Sequence, residues 1–153
     1  MKPILFFITL CFLSSCATYD SLLDLNKELI VDHFKYLAKN NPKYSYETKD
    51  SAGVLKIAVS GYEKIDCEFQ FDSLGSCITS QYVYCCDSCA EKHIQEFVNE
   101  RYYGWVKDGP SIYYSKRKRK TQMEVFNSNP FATVVIFTKT NWTKEEYKAL
   151  IKK

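Results

Sequence analysis

Residues that interrupt regular structure are scarce in this sequence. Its 153 residues include 5 glycines and 4 prolines, beside 12 tyrosines and 10 phenylalanines. A disordered linker or stalk has the opposite composition, so the sequence excludes that class of protein. The net charge is only +3, which gives no reason to expect a nucleic-acid partner. The length suits a single domain with a hydrophobic core.

Signatures of catalysis are absent as well. The two histidines, His33 and His93, fall on predicted helices with no serine or carboxylate motif around them. The sequence contains no G-x-S-x-G or H-E-x-x-H motif and no phosphate-binding glycine loop. We therefore expect a non-catalytic protein that needs no cofactor.

The N-terminus has the pattern of an export signal. Lys2 supplies a positive charge, and residues 4–13 form an apolar run that is too short to span a bilayer. No later apolar stretch in the sequence is long enough to span one. We expect residues 1–15 to be a signal peptide and residues 16–153 to be one exported domain.

The end of this signal, Leu13-Ser14-Ser15-Cys16, resembles the lipobox of bacterial lipoproteins. The resemblance implies that Cys16 carries a diacylglycerol, becomes the new N-terminus and anchors the chain to a membrane. An ordinary secretory cut after Ala17 is the alternative. By analogy with enteric lipoproteins, Ala17 in place of Asp implies the outer rather than the inner membrane. The segment 71–77 is similar to turns in small lipoproteins of the Bacteroidetes, and this likeness implies no function.

The rest of the sequence predicts helices and antiparallel strands. Helices are predicted over residues 21–39 and 88–101 and after Thr143. Strands are predicted over residues 54–60, 64–71, 76–85, 102–106, 111–115, 121–126 and 132–138. Runs of strands joined by short turns pair antiparallel. We predict an α+β fold of order α-β-β-β-α-β-β-β-α, to within one strand, with one antiparallel sheet and helices packed on one face.

Several local features are also predicted. Ser88 and Glu91 match a capping box that would start the second helix, and Thr143 and Glu146 match another for the last helix. Residues 72–75, Asp-Ser-Leu-Gly, predict a hairpin turn. The first helix is expected to be amphipathic and to bury an apolar face on which Leu22, Leu25, Leu29 and Tyr36 recur at helical spacing, with Ile30, Phe34 and Leu37 alongside them.

Five cysteines follow the signal and the lipidation site. They are Cys67, Cys77, Cys85, Cys86 and Cys89. In an oxidising compartment an odd set of this size predicts two structural disulfides and one free thiol, with a connectivity that the sequence leaves open.

The segment Cys86-Asp87-Ser88-Cys89 leaves two other interpretations open. A C-x-x-C between a strand and a helix is similar to the redox motif of thioredoxin-like proteins, with Asn129-Pro130 in the place of their cis-proline loop. That likeness implies a thiol–disulfide oxidoreductase using Cys86 and Cys89. Alternatively, Cys86, Cys89 and His93 have a spacing typical of metal ligands.

Two further groups of residues are candidates for binding. Residues 116–120, Lys-Arg-Lys-Arg-Lys, either contact anionic lipid headgroups or a polyanionic glycan, or form a solvated loop that protects a sheet edge. Five aromatic residues either line a ligand groove or form cross-strand packing pairs: Tyr102, Tyr103, Trp105, Tyr113 and Tyr114.

These features favour a membrane-anchored lipoprotein of the cell envelope that binds or scaffolds an unidentified protein or glycan. The runner-up is a thiol–disulfide oxidoreductase that uses Cys86 and Cys89.

Lipidation of Cys16 is directly testable. Substituting Cys16→Ala removes the sulfur that would receive the diacylglycerol, so the protein should move from the detergent phase to the aqueous phase and lose labelling by an alkyne fatty acid. Partitioning and labelling that stay unchanged in Cys16→Ala would rule out this anchor.

Overall fold

The computed structural model describes residues 21–118, 120–129 and 132–152 of the chain. The predicted signal and the lipobox with Cys16 lie outside the described residues, as does Pro130 of the proposed cis-proline loop.

The described residues form three helices and one sheet of eight strands. Their order along the chain is α1 (Lys27–Asn40), β1 (Ser45–Ser51), β2 (Val54–Ser60), β3 (Ile65–Phe71), β4 (Cys77–Tyr84), α2 (Asp87–Asn99), β5 (Trp105–Asp108), β6 (Ile112–Ser115), β7 (Thr121–Asn129), β8 (Ala132–Lys139) and α3 (Lys144–Ile151). In space the strands follow the order β1-β2-β3-β4-β8-β7-β6-β5, and every neighbouring pair is antiparallel.

The chain consists of two halves with the same topology. Each half is a helix followed by four strands that pair in sequence, and the last strands of the two halves, β4 and β8, pair at the centre of the sheet. This confirms the α+β class and the single antiparallel sheet. The seven predicted strands are one too few, because each half of the sheet contains four strands. The strand without a prediction is β1, whose sequence, SYETKDS, is almost entirely polar because it is an edge strand with mostly exposed side chains.

One face of the sheet packs against α1 and α2. The helices contribute Ile30, Phe34, Ala90 and Phe97 to this core. Aromatic rings connect the helices to the central strands in a continuous chain of edge and tilted contacts: Phe34, Phe69, Tyr82, Phe97 and Phe137. The remaining helix departs from the predicted arrangement. Trp142, just before α3, contacts Tyr114 of β6. The side chains of Tyr113 and Tyr114 point to opposite faces of the sheet, and Tyr113 is the one that packs against the core. Tyr114 and Trp142 therefore lie on the face away from α1 and α2.

The predicted turn between β3 and β4 is confirmed. The Asp72 carboxylate accepts hydrogen bonds from the backbone N–H groups of Leu74 and Ser76, each at 2.9 Å. Gly75 has a φ of 79°, a conformation that favours glycine. This turn fixes the register of the β3–β4 hairpin and so places the residues that follow β4.

The start of the first helix differs from the prediction. Helix α1 begins at Lys27. Asn26 is its N-cap, and the Asn26 side chain accepts a hydrogen bond from the Leu29 N–H. Residues 21–25 instead run beside β4, where the Asp24 N–H donates to the Cys77 carbonyl and the Cys77 N–H donates to the Leu25 carbonyl. Two of the residues predicted to be buried on this helix are therefore on its exposed side: Leu29 and Tyr36.

The predicted cap of the second helix is also wrong. Cys86 is the N-cap of α2, and Ser88 lies in its first turn. The Cys86 sulfur accepts from the Cys89 N–H and so takes the role that a Ser88 hydroxyl was expected to play. The capping box of Thr143 and Glu146 at the start of α3 is confirmed.

The orientation of α1 leads to a prediction. Phe34 is 1% exposed and Leu29 is 52% exposed. Phe34→Ala should lower the free energy of unfolding by about 3–5 kcal/mol, because it leaves a cavity between α1 and the sheet. Leu29→Ala should change it by less than about 0.5 kcal/mol. Urea denaturation of both variants measures the difference, and equal losses would contradict this orientation of α1.

Candidate functional site

Three cysteines meet at the junction of β4 and α2. Cys85 follows the last residue of β4, Cys86 caps α2, and Cys89 lies in the first turn of the helix. Cys86 and Cys89 form a disulfide, and their Cα atoms are 5.3 Å apart. Both are half-buried, whereas Cys85 is exposed and has a free thiol. The junction thus places a disulfide and a free thiol beside each other at the protein surface.

Hydrogen-bond donors surround the Cys86 sulfur. It lies 3.2 Å from the Cys89 backbone nitrogen and 3.2 Å from the Ser88 hydroxyl oxygen, at the N-terminus of a 13-residue helix. Such donors and the helix dipole would stabilise a Cys86 thiolate if the disulfide were reduced. The carboxylate of Asp87, in the same turn, opposes this effect. Cys86 is therefore the member of the pair that is better suited to leave as a thiolate.

His93 lies one helical turn beyond Cys89 and contacts two carboxylates. Its Nε2 atom is 2.6 Å from Glu63, in the loop between β2 and β3, and its Nδ1 atom is 3.4 Å from Glu96. The ring also stacks on Tyr84 at the end of β4. These contacts hold α2 against the sheet. Sequence reasoning missed Glu63 because 30 residues separate it from His93 and no local motif connects them.

The arrangement does not form the predicted metal site. Cys86 and Cys89 are bonded to each other, and a disulfide sulfur lacks the thiolate charge that binds zinc. His93 faces Glu63 and Glu96. Within residues 21–118, 120–129 and 132–152 there is no group of three or more His, Cys, Asp or Glu side chains that could hold a metal ion.

The likeness to thioredoxin-like proteins does not extend to the fold. Strand β4, which leads into Cys86, is antiparallel to both of its neighbours, β3 and β8. The strand before the motif in a thioredoxin-like protein belongs to a βαβ unit, so it has a parallel neighbour, and it is buried on both faces. The open face of β4 instead carries Gln81 and Val83. Any redox chemistry at this junction must therefore rest on the local geometry of the cysteines.

The two cysteines of the β3–β4 hairpin are buried thiols. Cys67 pairs in register with Tyr82, and Cys77 lies five residues before Tyr82 on β4. At about 3.3 Å per residue, five residues put the two about 16 Å apart along the hairpin, too far to form a disulfide. Burial raises the pKa of Cys67 well above its usual range and that of Cys77 to about 12. The expectation of two disulfides is therefore wrong: the described residues contain one.

The sheet face that α1 and α2 leave uncovered carries a groove of about 510 Å³. We call it the open-face groove; it is lined by residues 47–49, 56–58, 66–68, Gln81 and Val83. Charges of both signs line the groove, and Lys56 forms an ion pair with Glu68 at 2.9 Å. Hydrogen bonding from Lys56 holds the pKa of Glu68 below its usual range. The floor between these charges is formed by Ala58 and Val83.

Of the two interpretations of the five aromatic residues, packing fits the described part of the chain better than a ligand groove. Four of them contact other rings, and Tyr113 packs against the core. Tyr103 stacks on Trp105 with ring centroids 4.8 Å apart, and Trp105 contacts Phe137 of the core. Tyr114 contacts Trp142. The Tyr102 ring contacts that of Tyr103, with centroids 5.1 Å apart, although half of its surface is exposed.

Comparisons with known proteins add no functional assignment. No protein-family model matches the chain, and no curated protein or solved structure is significantly similar to it. Among the residues that the structure describes, no helix combines the length and the apolar character needed to cross a membrane.

The accessibility of the cysteines leads to a prediction. In the native oxidised protein, a maleimide at pH 7 should label Cys85 and leave Cys67 and Cys77 unmodified, because burial and raised pKa values suppress their thiolates. After mild reduction, Cys86 should be labelled next. Mass spectrometry of peptides identifies the labelled cysteines, and unfolding in urea should expose the two buried thiols. Labelling of Cys77 as fast as Cys85 in the native state would contradict the structure.

Proposed function

We propose that this protein is an exported lipoprotein, anchored through Cys16, that acts as a non-catalytic binding module of the cell envelope. The open-face groove is the observation that carries the binding function. Helices α1 and α2 cover one face of the sheet, and the groove leaves charged side chains of the other face accessible. The uncovered part of a sheet face can present a surface to a partner without any movement of the core.

The chemistry of the groove favours a protein partner over a polyanionic glycan. Lys49 and Lys56 supply positive charge, but Glu47, Asp66 and Glu68 lie among them. A polyanion would meet repulsion from these three carboxylates, whereas a polypeptide can offer charges of both signs in a matching order. Ala58 and Val83 give an apolar floor that suits small side chains of such a partner.

Thiol–disulfide exchange is the second candidate function. It is supported by the half-exposed Cys86–Cys89 disulfide at the N-terminus of α2 and by the donors around the Cys86 sulfur. A partner thiolate that attacks the Cys89 sulfur would form a mixed disulfide and release Cys86 as a thiolate. A Cys86 pKa well below the unperturbed thiol value of about 8.5 would place this function first. A pKa at or above that value would favour a structural disulfide.

The binding function is tested with two matched lysines. Lys56 and Lys35 each form one ion pair, and their side chains are 58% and 59% exposed, but Lys56 lies in the groove and Lys35 on α1.

A photo-crosslinking residue at Ala58 should give a discrete adduct in native membranes. Lys56→Glu should reduce the adduct about tenfold, because it reverses one charge of the contact, and Lys35→Glu should leave it unchanged. Surface ion pairs contribute about 0–1 kcal/mol, so both variants should stay folded.

A crosslinker at the exposed Leu29 of α1 serves as the second control. If Leu29 and Ala58 give the same adducts, or if Lys35→Glu and Lys56→Glu act alike, the groove is not the binding surface.

A further inference from the structure

The chain enters the described domain at one end of the sheet. Ser21 lies five residues after Cys16, and its hydroxyl is 2.5 Å from the Tyr103 hydroxyl. The Ser80 hydroxyl donates to the Ser21 carbonyl. Five residues span at most about 18 Å. If Cys16 is embedded in a membrane, this end of the sheet must lie close to the membrane surface.

The basic segment 116–120 lies at the same end. It connects β6 to β7, and the Arg117 N–H donates to the Tyr103 carbonyl at 3.1 Å. The Thr140 N–H, just after β8, donates to the Lys120 carbonyl at 2.7 Å. Tyr103 therefore contacts Ser21 through its hydroxyl and the basic segment through its carbonyl. We call the segment that connects Cys16 to Ser21 the tether. The fold holds its end at Ser21 close to the basic segment, although about 100 residues separate the two in the sequence.

The four described charges of the basic segment are exposed and form no ion pair with other described residues. Lys116, Arg117, Lys118 and Lys120 are all exposed, and none of them takes part in an ion pair with another described residue. Two acidic residues near the tether have partners of their own: Asp24 pairs with Lys139, and Asp50 pairs with Lys27. The positive charge of the segment is therefore available to an external anion.

An exposed aromatic ring accompanies these charges. The Lys118 ammonium lies 4.3 Å from the centroid of the Tyr102 ring, and Tyr102 is 51% exposed. Tyrosine is favoured at membrane–water interfaces because its ring is apolar and its hydroxyl is polar. An exposed tyrosine beside a lysine of the basic segment therefore suits a lipid surface better than a soluble polyanion.

We propose that Lys116, Arg117, Lys118 and Lys120 of the basic segment, together with Tyr102, dock on the anionic headgroups of the membrane that carries the lipid anchor. The docking rests on the proposed anchoring at Cys16, which brings this end of the domain within reach. Each Lys or Arg near an anionic surface adds to membrane affinity, and a basic patch strengthens a lipid anchor. Contact at this end would set the orientation of the domain and turn the junction at Cys85, at the other end of β4, away from the membrane.

The experiment uses the full chain with Cys16→Ala, so that lipid does not mask the contribution of the basic segment. Binding is measured by flotation with phosphatidylcholine vesicles, with and without 30% phosphatidylglycerol. We expect the anionic lipid to raise the bound-to-free ratio at least about tenfold at low salt, and 0.5 M salt to abolish the increase.

Two variants with equal charge change locate the binding surface. The first replaces Lys116, Arg117, Lys118 and Lys120 by Gln, and the second replaces Lys39, Lys43, Lys64 and Lys92, which are exposed elsewhere on the domain. The first should lose at least about tenfold in binding to anionic vesicles, and the second should lose less than about twofold. Matching thermal unfolding of the two variants confirms that both are folded.

Three results would overturn the proposal: equal binding to neutral and anionic vesicles, equal losses in the two variants, or capture by an immobilised polyanionic glycan without binding to anionic vesicles. Failure of the anchoring proposal has a different signature. The unsubstituted chain would then partition like Cys16→Ala, whereas the vesicle comparison would still report on the basic segment.

Discussion

The pairing of β4 with β8 is the contact on which the rest of the structure depends. Each half of the chain forms one helix and four strands, and this central pair joins the two halves into one sheet with one core. Tyr82 and Phe137 contact each other across the pair, and the Phe97 ring of α2 contacts both. Without this pair, each half would have a single helix over four strands, a size at which the buried apolar surface gives only marginal stability.

The same arrangement separates the candidate functions in space. Helices α1 and α2 cover one face of the sheet, and the open-face groove occupies the other. The tether and the basic segment lie at one end of β4, and Cys85, Cys86 and Cys89 lie beyond its other end. A partner in the groove and a membrane at the tether would therefore contact different parts of the domain. This separation allows an anchored domain to bind a partner while it stays on the membrane.

Much of the sheet could be predicted because its signals are local. Alternating side chains and the turn at residues 72–75 predict the β3–β4 hairpin, and the Thr143 capping box is read from four consecutive residues. Strand β1 could not be predicted, since an exposed edge strand carries no apolar alternation. Leu22 and Leu25 have helical spacing but belong to the segment that bonds to β4, because tertiary contacts outweigh a weak local preference. The contact between His93 and Glu63 likewise has no local signal.

The sequence by itself determined the class of fold and the antiparallel pairing, because alternation, turns and caps act between residues that are close in the chain. It also contains the pattern from which export and lipidation of Cys16 are inferred, since signal peptides are read as short linear segments. Only the tertiary structure decided which face of the sheet stays open and where the basic segment lies relative to the tether. Those features depend on contacts between residues far apart in the chain, and such contacts exist only once β4 and β8 have brought the two halves together.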